Sequence, residues 1–213
     1  MNGSEHDKRW HRVVDTFVAY PERKDKAPVV VVVHTINGFI DWIESAADQL
    51  AAEGYIAIAP DLLSQMAPNG GRSTGFETGK ANEAMGKLPK DQITADLNAV
   101  ADYGLKLPSA NGHLSVAGFC WGGSLANHVA TQMPELRVAV PFYGAAPAAQ
   151  DVPRIKARLL IHYAANEVRW EVGEQIAVFH GGINAKTGLQ SIITVNSIIG
   201  TKGVPNINPF ELR

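Results

Sequence analysis

An unbroken run of β-branched residues most limits the folds open to this chain. The segment "APVVVVVHT", residues 27–35, is apolar at every position except its last two. A strand with one face in water would alternate apolar and polar residues, so this strand is predicted to be covered on both faces, as in a parallel sheet. Apolar residues then recur at helical spacing, at Ile43, Ala46, Ala47, Leu50 and Ala51.

Similar patterns continue along the chain. Strands are predicted in "YIAIAPD", "HLSVAGF", "LRVAVPFYG", "ARLLIHYA" and "LQSIITVNSII", and helices around residues 93–105, in "GGSLANHVATQM" and in "EVGEQIAVF". Residues 62–89 are rich in Gly, Pro and polar residues. They are interpreted as a long connecting segment, or excursion, over the face of the fold that would hold an active site. The alternation predicts an α/β fold with a mainly parallel sheet and helices on both faces. Without a repeat or a linker, residues 1–213 are predicted to form a single domain.

Composition and charge exclude several classes of function. The 19 Lys and Arg and 21 Asp and Glu give a net charge of -2 with no basic stripe, so a nucleic-acid partner is not expected. No apolar run approaches the roughly 18 residues of a membrane span, and a membrane role is not expected. The one cysteine cannot form an internal disulfide, and Cys and His do not occur at zinc-binding spacing. We therefore expect a cytoplasmic protein without a metal site.

The single cysteine lies in "GFCWGG", where a predicted strand ends and a predicted helix begins. Such a strand-to-helix turn holds a nucleophile in a strained conformation, and small residues two positions before and after it avoid a clash. Gly118 and Gly122 meet that requirement. The helix that follows favours the thiolate and presents the Trp121 N–H to an oxyanion. Cys120 is therefore predicted to be a nucleophile, with buried packing as the alternative.

The motifs "VVVVHTINGFIDWIESAADQLAAEGYIAIAPDLLS", "GFCWGG" and "LLIHYAANE" resemble the dienelactone hydrolase (carboxymethylenebutenolidase) family of the α/β-hydrolase superfamily. The resemblance implies a Cys, Asp, His triad that opens lactones and other activated esters without metal or cofactor. It assigns the nucleophile to Cys120 and the oxyanion hole to the backbone N–H groups of Ile36 and Trp121. The implied partner is a small ester or lactone substrate.

The chain departs from the family pattern at three positions. Thr35 stands where the family usually has a glutamate that helps to ionise the thiol, and Glu167 stands at the position of the triad aspartate. The family histidine belongs to a Gly-Thr-x-His-Gly-Phe motif, whereas this chain has "GTKGVPN". His180 is the only histidine after Glu167 and is the remaining candidate base.

The C-terminal sequence also differs from the family pattern. Paired glycines interrupt the predicted last helix in "FHGGINAKTG", and we expect the closing helix of the fold to be missing or altered. An uncovered apolar sheet face would favour association with another chain, so an oligomer is one expectation. A frameshift or truncated reading frame over about the last 45 residues is another hypothesis.

Two functions remain open on these grounds. One is a thiol hydrolase of small esters or lactones, with activity impaired by the lack of the family histidine. The alternative is a non-catalytic or truncated α/β-hydrolase relative without a functional triad. A redox sensor is a third interpretation, weakened because the chain has no second cysteine to resolve an oxidised thiol.

Overall fold

The computed structural model describes residues 12–162, apart from the side chain of Asn69, and the backbone of residues 193–194. This part contains seven strands and four α-helices. The strands are β1 Thr16–Ala19, β2 Ala27–Val33, β3 Ile56–Pro60, β4 Ala110–Phe119, β5 Leu136–Phe142, β6 Arg158–Ile161 and β7 Ile193–Thr194. The helices are α1 Asp41–Ala52, α2 Lys80–Met85, α3 Lys90–Lys106 and α4 Trp121–Gln132. The predicted alternation of strands and helices is confirmed.

The chain divides into two compact units between Leu114 and Ser115, within β4. In the first unit the strand order is β1-β3-β2, with β3 parallel to β2 and antiparallel to β1. In the second the order is β4-β5-β6-β7, and β5 is parallel to β6 and β6 to β7. The prediction of a mainly parallel α/β sheet is therefore correct. That residues 1–213 form one domain stays a prediction.

The core of the first unit lies around β2 and β3. Every residue of β3 is buried, and so is β2 except for Pro28. Helices α1 and α3 both pack on β3. A Cβ added at Gly104 of α3 would lie 2.6 Å from Ile58 Cδ1 and 2.8 Å from a methyl carbon of Val29, so the helix backbone rests directly on the sheet. Alternate residues of β3 point to opposite faces, and their uniform burial requires cover on both.

The predicted excursion after β3 is folded. It contains two short 3₁₀ turns, Pro68–Gly70 and Ser73–Gly75, and the six-residue helix α2, which the sequence analysis did not predict.

No helix among the described residues combines the length and apolar character needed to cross a membrane.

Candidate active site

Cys120 sits at the junction of β4 and α4, as predicted. Its backbone has φ 57° and ψ -114°. Cys120 is the N-terminal capping residue of α4, which begins at Trp121. A side chain other than glycine rarely adopts a positive φ, and such strain persists only where the surroundings enforce it. Cys120 as a residue is partly exposed rather than buried. Cys120 therefore forms a strained strand-to-helix elbow and is not part of the buried core.

Glycine at position 118 is required by the close approach of the first turn of α4. A Cβ at Gly118 would overlap the carbonyl carbon and oxygen of Gly122 and would lie 3.0 Å from the Gly123 nitrogen. Any side chain at position 118 would therefore clash with the helix backbone. Gly122 takes part through its backbone carbonyl.

A second close approach, between α4 and the loop after β5, was missed by the sequence analysis. A Cβ at Gly123 would lie 2.5 Å from the Phe142 oxygen, and one at Gly144 would overlap the backbone of Gly123 and Ser124. The start of α4 therefore rests backbone against backbone on residues 142–144. The doubled glycine after "CW" was the available signal, but its partner at Gly144 lies 21 positions further along the chain, in another loop.

Hydrogen bonds tie the elbow to the same loop. The Cys120 N–H donates to the Phe142 oxygen at 2.9 Å. The Ala145 N–H donates to Ser124 Oγ at 2.8 Å, and Asn127 Nδ2 donates to the Ala145 oxygen at 2.7 Å. The backbone that holds the thiol is thus fixed by contacts on both the strand side and the helix side.

Three aromatic rings lie stacked at the C-terminal ends of β4, β5 and β6. Phe119 stacks on Phe142 with centroids 4.7 Å apart, and Phe142 stacks on His162 at 4.4 Å. His162 is only 8% exposed, and neither ring nitrogen has a hydrogen-bond partner among the described residues. Burial lowers the pKa of His162, so the ring is neutral at pH 7.

The turn that follows β2 holds Ile36, the other predicted oxyanion-hole residue. The Thr35 oxygen accepts a hydrogen bond from the Gly38 N–H at 3.1 Å, and Thr35 Oγ1 accepts one from the Asn37 N–H at 3.2 Å. Gly38 has φ 82°, and a Cβ there would lie 2.7 Å from Ser73 Oγ. The turn needs glycine at this position for both reasons. Ile36 itself is 38% exposed.

Two buried polar side chains support this turn. His34 Nε2 accepts a hydrogen bond from the Leu62 N–H at 3.1 Å, and its Nδ1 lies 2.8 Å from the Thr35 oxygen. Burial lowers the pKa of His34, although the Thr35 carbonyl and the charge of Asp61 favour the protonated ring.

Asp61 joins the end of β3 to the excursion. Its carboxylate accepts hydrogen bonds from the Leu63 N–H at 2.9 Å, the Ser73 N–H at 2.7 Å and the Ser73 hydroxyl at 2.5 Å. Ser73 is the residue that packs against Gly38. The position of the turn at residues 35–38 therefore depends on a carboxylate from another strand.

The remaining predicted site residues lie outside the described part of the chain. These are Glu167 and His180. The predictions of a helix in "EVGEQIAVF", of an altered closing helix and of an uncovered sheet face also fall on residues outside the described part. In the described part, no group of three or more His, Cys, Asp and Glu side chains is arranged to hold a metal ion.

Comparison with known proteins settles the family. The profile of the dienelactone hydrolase family matches residues 14–183. The chain belongs to the dienelactone hydrolase family. The resemblance seen in its motifs is thereby confirmed.

Individual relatives agree with the family assignment. A carboxymethylenebutenolidase homolog of Rattus norvegicus is 32% identical over 160 residues, covering 72% of this chain and 62% of that protein. A candidate carboxymethylenebutenolidase of Salmonella typhi is 34% identical over 139 residues, covering 60% of this chain and 47% of that protein. The chain thus spans about half the length of this bacterial relative.

Solved structures show the same fold. The crystal structure of a candidate dienelactone hydrolase from Klebsiella pneumoniae superposes with a TM-score of 0.68 at 26% identity, covering 79% of this chain and 74% of that one. The α/β-hydrolase fold predicted from the sequence is confirmed by this likeness.

Proposed function

We propose that this member of the dienelactone hydrolase family is a thiol hydrolase of small carboxylic esters or lactones, with Cys120 as its nucleophile. The observation that supports this most strongly is the strained backbone of Cys120, a partly exposed residue at the strand-to-helix junction. A cysteine in core packing needs neither the strain nor the close glycine contact at Gly118.

The reaction has two steps. Cys120 Sγ attacks the ester carbonyl, and the backbone N–H groups of Ile36 and Trp121 stabilise the oxyanion. The C–O bond breaks, the alkoxide takes up the thiol proton, and a thioester remains on Cys120; with a lactone, the alcohol stays attached to the acyl group. Water then attacks the thioester, which releases the carboxylic acid and restores the thiol.

Glu167 and His180 are the proposed acid and base of this site. Because His180 stands outside the family histidine motif, we expect both proton transfers to be impaired, with turnover about 10² to 10⁴ below that of a site with a positioned base. We further propose a cytoplasmic location, in keeping with the lone cysteine.

A brief exposure of the protein to p-nitrophenyl acetate, followed by mass spectrometry, tests this proposal. We expect an acetyl group on Cys120, removable by hydroxylamine as a thioester is, and slow loss of that group in buffer. Cys120→Ala should carry no hydroxylamine-sensitive acetyl group, because the chain has no other cysteine. Equal release of nitrophenol by the parent and by Cys120→Ala would refute the proposal.

One observation favours the second candidate, a relative that binds a ligand without turnover. Thr35, at the position of the family's glutamate, uses its hydroxyl to accept the Asn37 N–H inside its own turn. A hydroxyl held this way cannot supply the charge that would help to ionise the thiol. Acetylation of Cys120 no faster than that of glutathione in the same buffer would support this candidate over the hydrolase.

A further inference from the structure

The hydrogen bonds around His34 determine which ring nitrogen carries the proton. A backbone N–H can only donate, so His34 Nε2, which receives the Leu62 N–H at 3.1 Å, must be unprotonated. The proton of the neutral ring is therefore on Nδ1, which donates to the Thr35 oxygen at 2.8 Å. His34 is completely buried, so water does not compete for either bond.

The Thr35 carbonyl consequently accepts two hydrogen bonds. One comes from His34 Nδ1 and the other from the Gly38 N–H at 3.1 Å. Two donors from different parts of the turn leave the carbonyl little freedom to rotate. The plane of the Thr35–Ile36 peptide group is fixed as a result.

A fixed carbonyl also fixes the direction of the next N–H. The peptide bond is planar and trans, so the C=O of Thr35 and the N–H of Ile36 point in opposite directions. With the carbonyl directed at the buried His34 ring, the Ile36 N–H points away from it. Among the described residues, none accepts a hydrogen bond from this N–H, whereas the N–H groups of Asn37 and Gly38 are both used within the turn.

We propose that His34 is a positioning residue: as the Nδ1–H tautomer it holds the Thr35 carbonyl and thereby aims the Ile36 N–H at the oxyanion of an acyl intermediate. This inference rests on the proposed hydrolase function for the use of that donor. Leu62 sets the tautomer, and the contacts of Asp61 with Leu63 and Ser73 hold the Leu62 segment in place.

The tautomer can be measured without any catalysis. Imidazole ¹⁵N spectra of the labelled full chain should show one histidine protonated on Nδ1 at pH 7.5, and that signal should be missing from His34→Leu. A His34 protonated on Nε2 would overturn the inference, whether or not Cys120 is acylated.

The functional half is tested by comparing two reactions of Cys120. Acetylation by p-nitrophenyl acetate passes through an oxyanion, whereas alkylation by iodoacetamide does not. The ratio of the two rates therefore reports on the oxyanion donors separately from the reactivity of the thiol. His34→Leu should lower this ratio by about 10-fold to 10², somewhat less than the loss of a whole oxyanion donor.

Two amide variants provide the matched comparison. Asparagine places its NH₂ group as many bonds from Cβ as histidine Nδ1, so His34→Asn should recover most of the parental ratio. Glutamine reaches the Nε2 position instead, and His34→Gln should behave like His34→Leu. The exposed His113 supplies a control, since His113→Leu should keep the parental ratio.

These experiments distinguish failure of the positioning role of His34 from failure of the proposed hydrolase function. If the parent is alkylated but never acetylated, the hydrolase proposal fails, and the ¹⁵N spectrum still decides the tautomer. If the parent is acetylated and His34→Leu keeps its ratio, or His34→Asn recovers no more than His34→Leu, the positioning role is overturned.

Discussion

Two turns in this molecule each follow a buried strand, and they are held in different ways. The elbow at Cys120 is shaped by backbone packed directly on backbone, which glycines at 118, 123 and 144 permit. The turn at residues 35–38 is shaped by the side chains of His34 and Asp61, which hydrogen-bond to backbone groups, and by Ser73, whose hydroxyl donates to Asp61. The first depends on the absence of side-chain volume, and the second on buried polar groups that satisfy one another.

The difference predicts what each turn tolerates. A contact between backbones leaves no room for relaxation, so added volume at the elbow should be costly whatever its chemistry. A buried polar network tolerates a change of size better than the loss of an acceptor, because each abandoned donor loses its hydrogen bond away from water.

The largest effect is expected for Gly118→Ala. The new Cβ would overlap the Gly122 carbonyl, so either β4 or the first turn of α4 must move. We expect a loss of about 3 kcal/mol or more in the free energy of unfolding, measured in urea. Acetylation of Cys120 should fall with it.

Gly86→Ala is the matched control for that substitution. A Cβ at Gly86 would make only ordinary contacts, at 3.7 Å, and the residue has helical dihedral angles. Alanine there should be neutral or stabilising by up to about 1 kcal/mol. If both variants lost the same stability, the steric account of the elbow would be wrong.

The next effect concerns the polar network around Asp61. Asp61→Ala leaves three donors without their acceptor and should lower the free energy of unfolding by about 3 kcal/mol. Ser73→Ala removes one hydroxyl and should lower it by about 1 kcal/mol. Asp61→Ala should also speed proteolysis within residues 64–89, because the link to Ser73 is lost.

The exposed Asp102 gives the control for charge alone. It lies 3.9 Å from Lys106 at the surface, and Asp102→Ala should change stability by no more than about 0.5 kcal/mol. A double-mutant cycle on Asp61 and Ser73 should show coupling; simple additivity of the two substitutions would contradict the proposed link.

The smallest effect at neutral pH is expected for His162→Phe. The His162 nitrogens have no partner among the described residues and its ring stacks on Phe142, so phenylalanine should keep stability within about 1 kcal/mol at pH 7.5. His34→Leu, in contrast, should cost about 2 kcal/mol at that pH, because it abandons the Leu62 N–H and one donor to Thr35.

In acid, the free energy of unfolding of His162→Phe should differ from that of the parent. Burial lowers the pKa of folded His162 below the ordinary 6.5, so above pH 6.5 the ring is neutral in both states and has no effect on stability. As the pH falls below 6.5, the imidazole becomes protonated in the unfolded state while it stays neutral in the folded state. The free energy of unfolding therefore decreases. His162→Phe should flatten this decrease between pH 6.5 and 5.

Two other groups set the background of that measurement. His34 has a lowered pKa and acts in the same direction as His162. Burial raises the pKa of Asp96, so its folded form takes up a proton earlier and opposes the loss in acid. An unchanged slope in His162→Phe would show that His162 does not resist protonation in the folded state.

The elbow was predictable because its signal is local. Gly118, Cys120 and Gly122 lie within five residues of one another, between a strand pattern and a helix pattern, and the requirement at Gly118 is steric. The strands β2 and β3 were predictable for a similar reason, since a fully apolar run reports burial on both faces. The short helix α2 was missed because it covers fewer than two turns and only three of its six residues are apolar.

The polar network was not predictable because its partners are remote in sequence. The Leu62 N–H meets His34 across 28 residues, and Ser73 meets Asp61 across 12. Nothing in the residue types near His34 indicates a backbone donor from another strand end.

The sequence by itself determined the α/β fold, the family and the strand-to-helix turn at Cys120, because periodicity and glycine spacing act over a few residues. Only the tertiary structure decided which tautomer His34 adopts, what Asp61 holds and why Gly144 must be glycine. These depend on distances between segments far apart along the chain, which folding alone brings into contact.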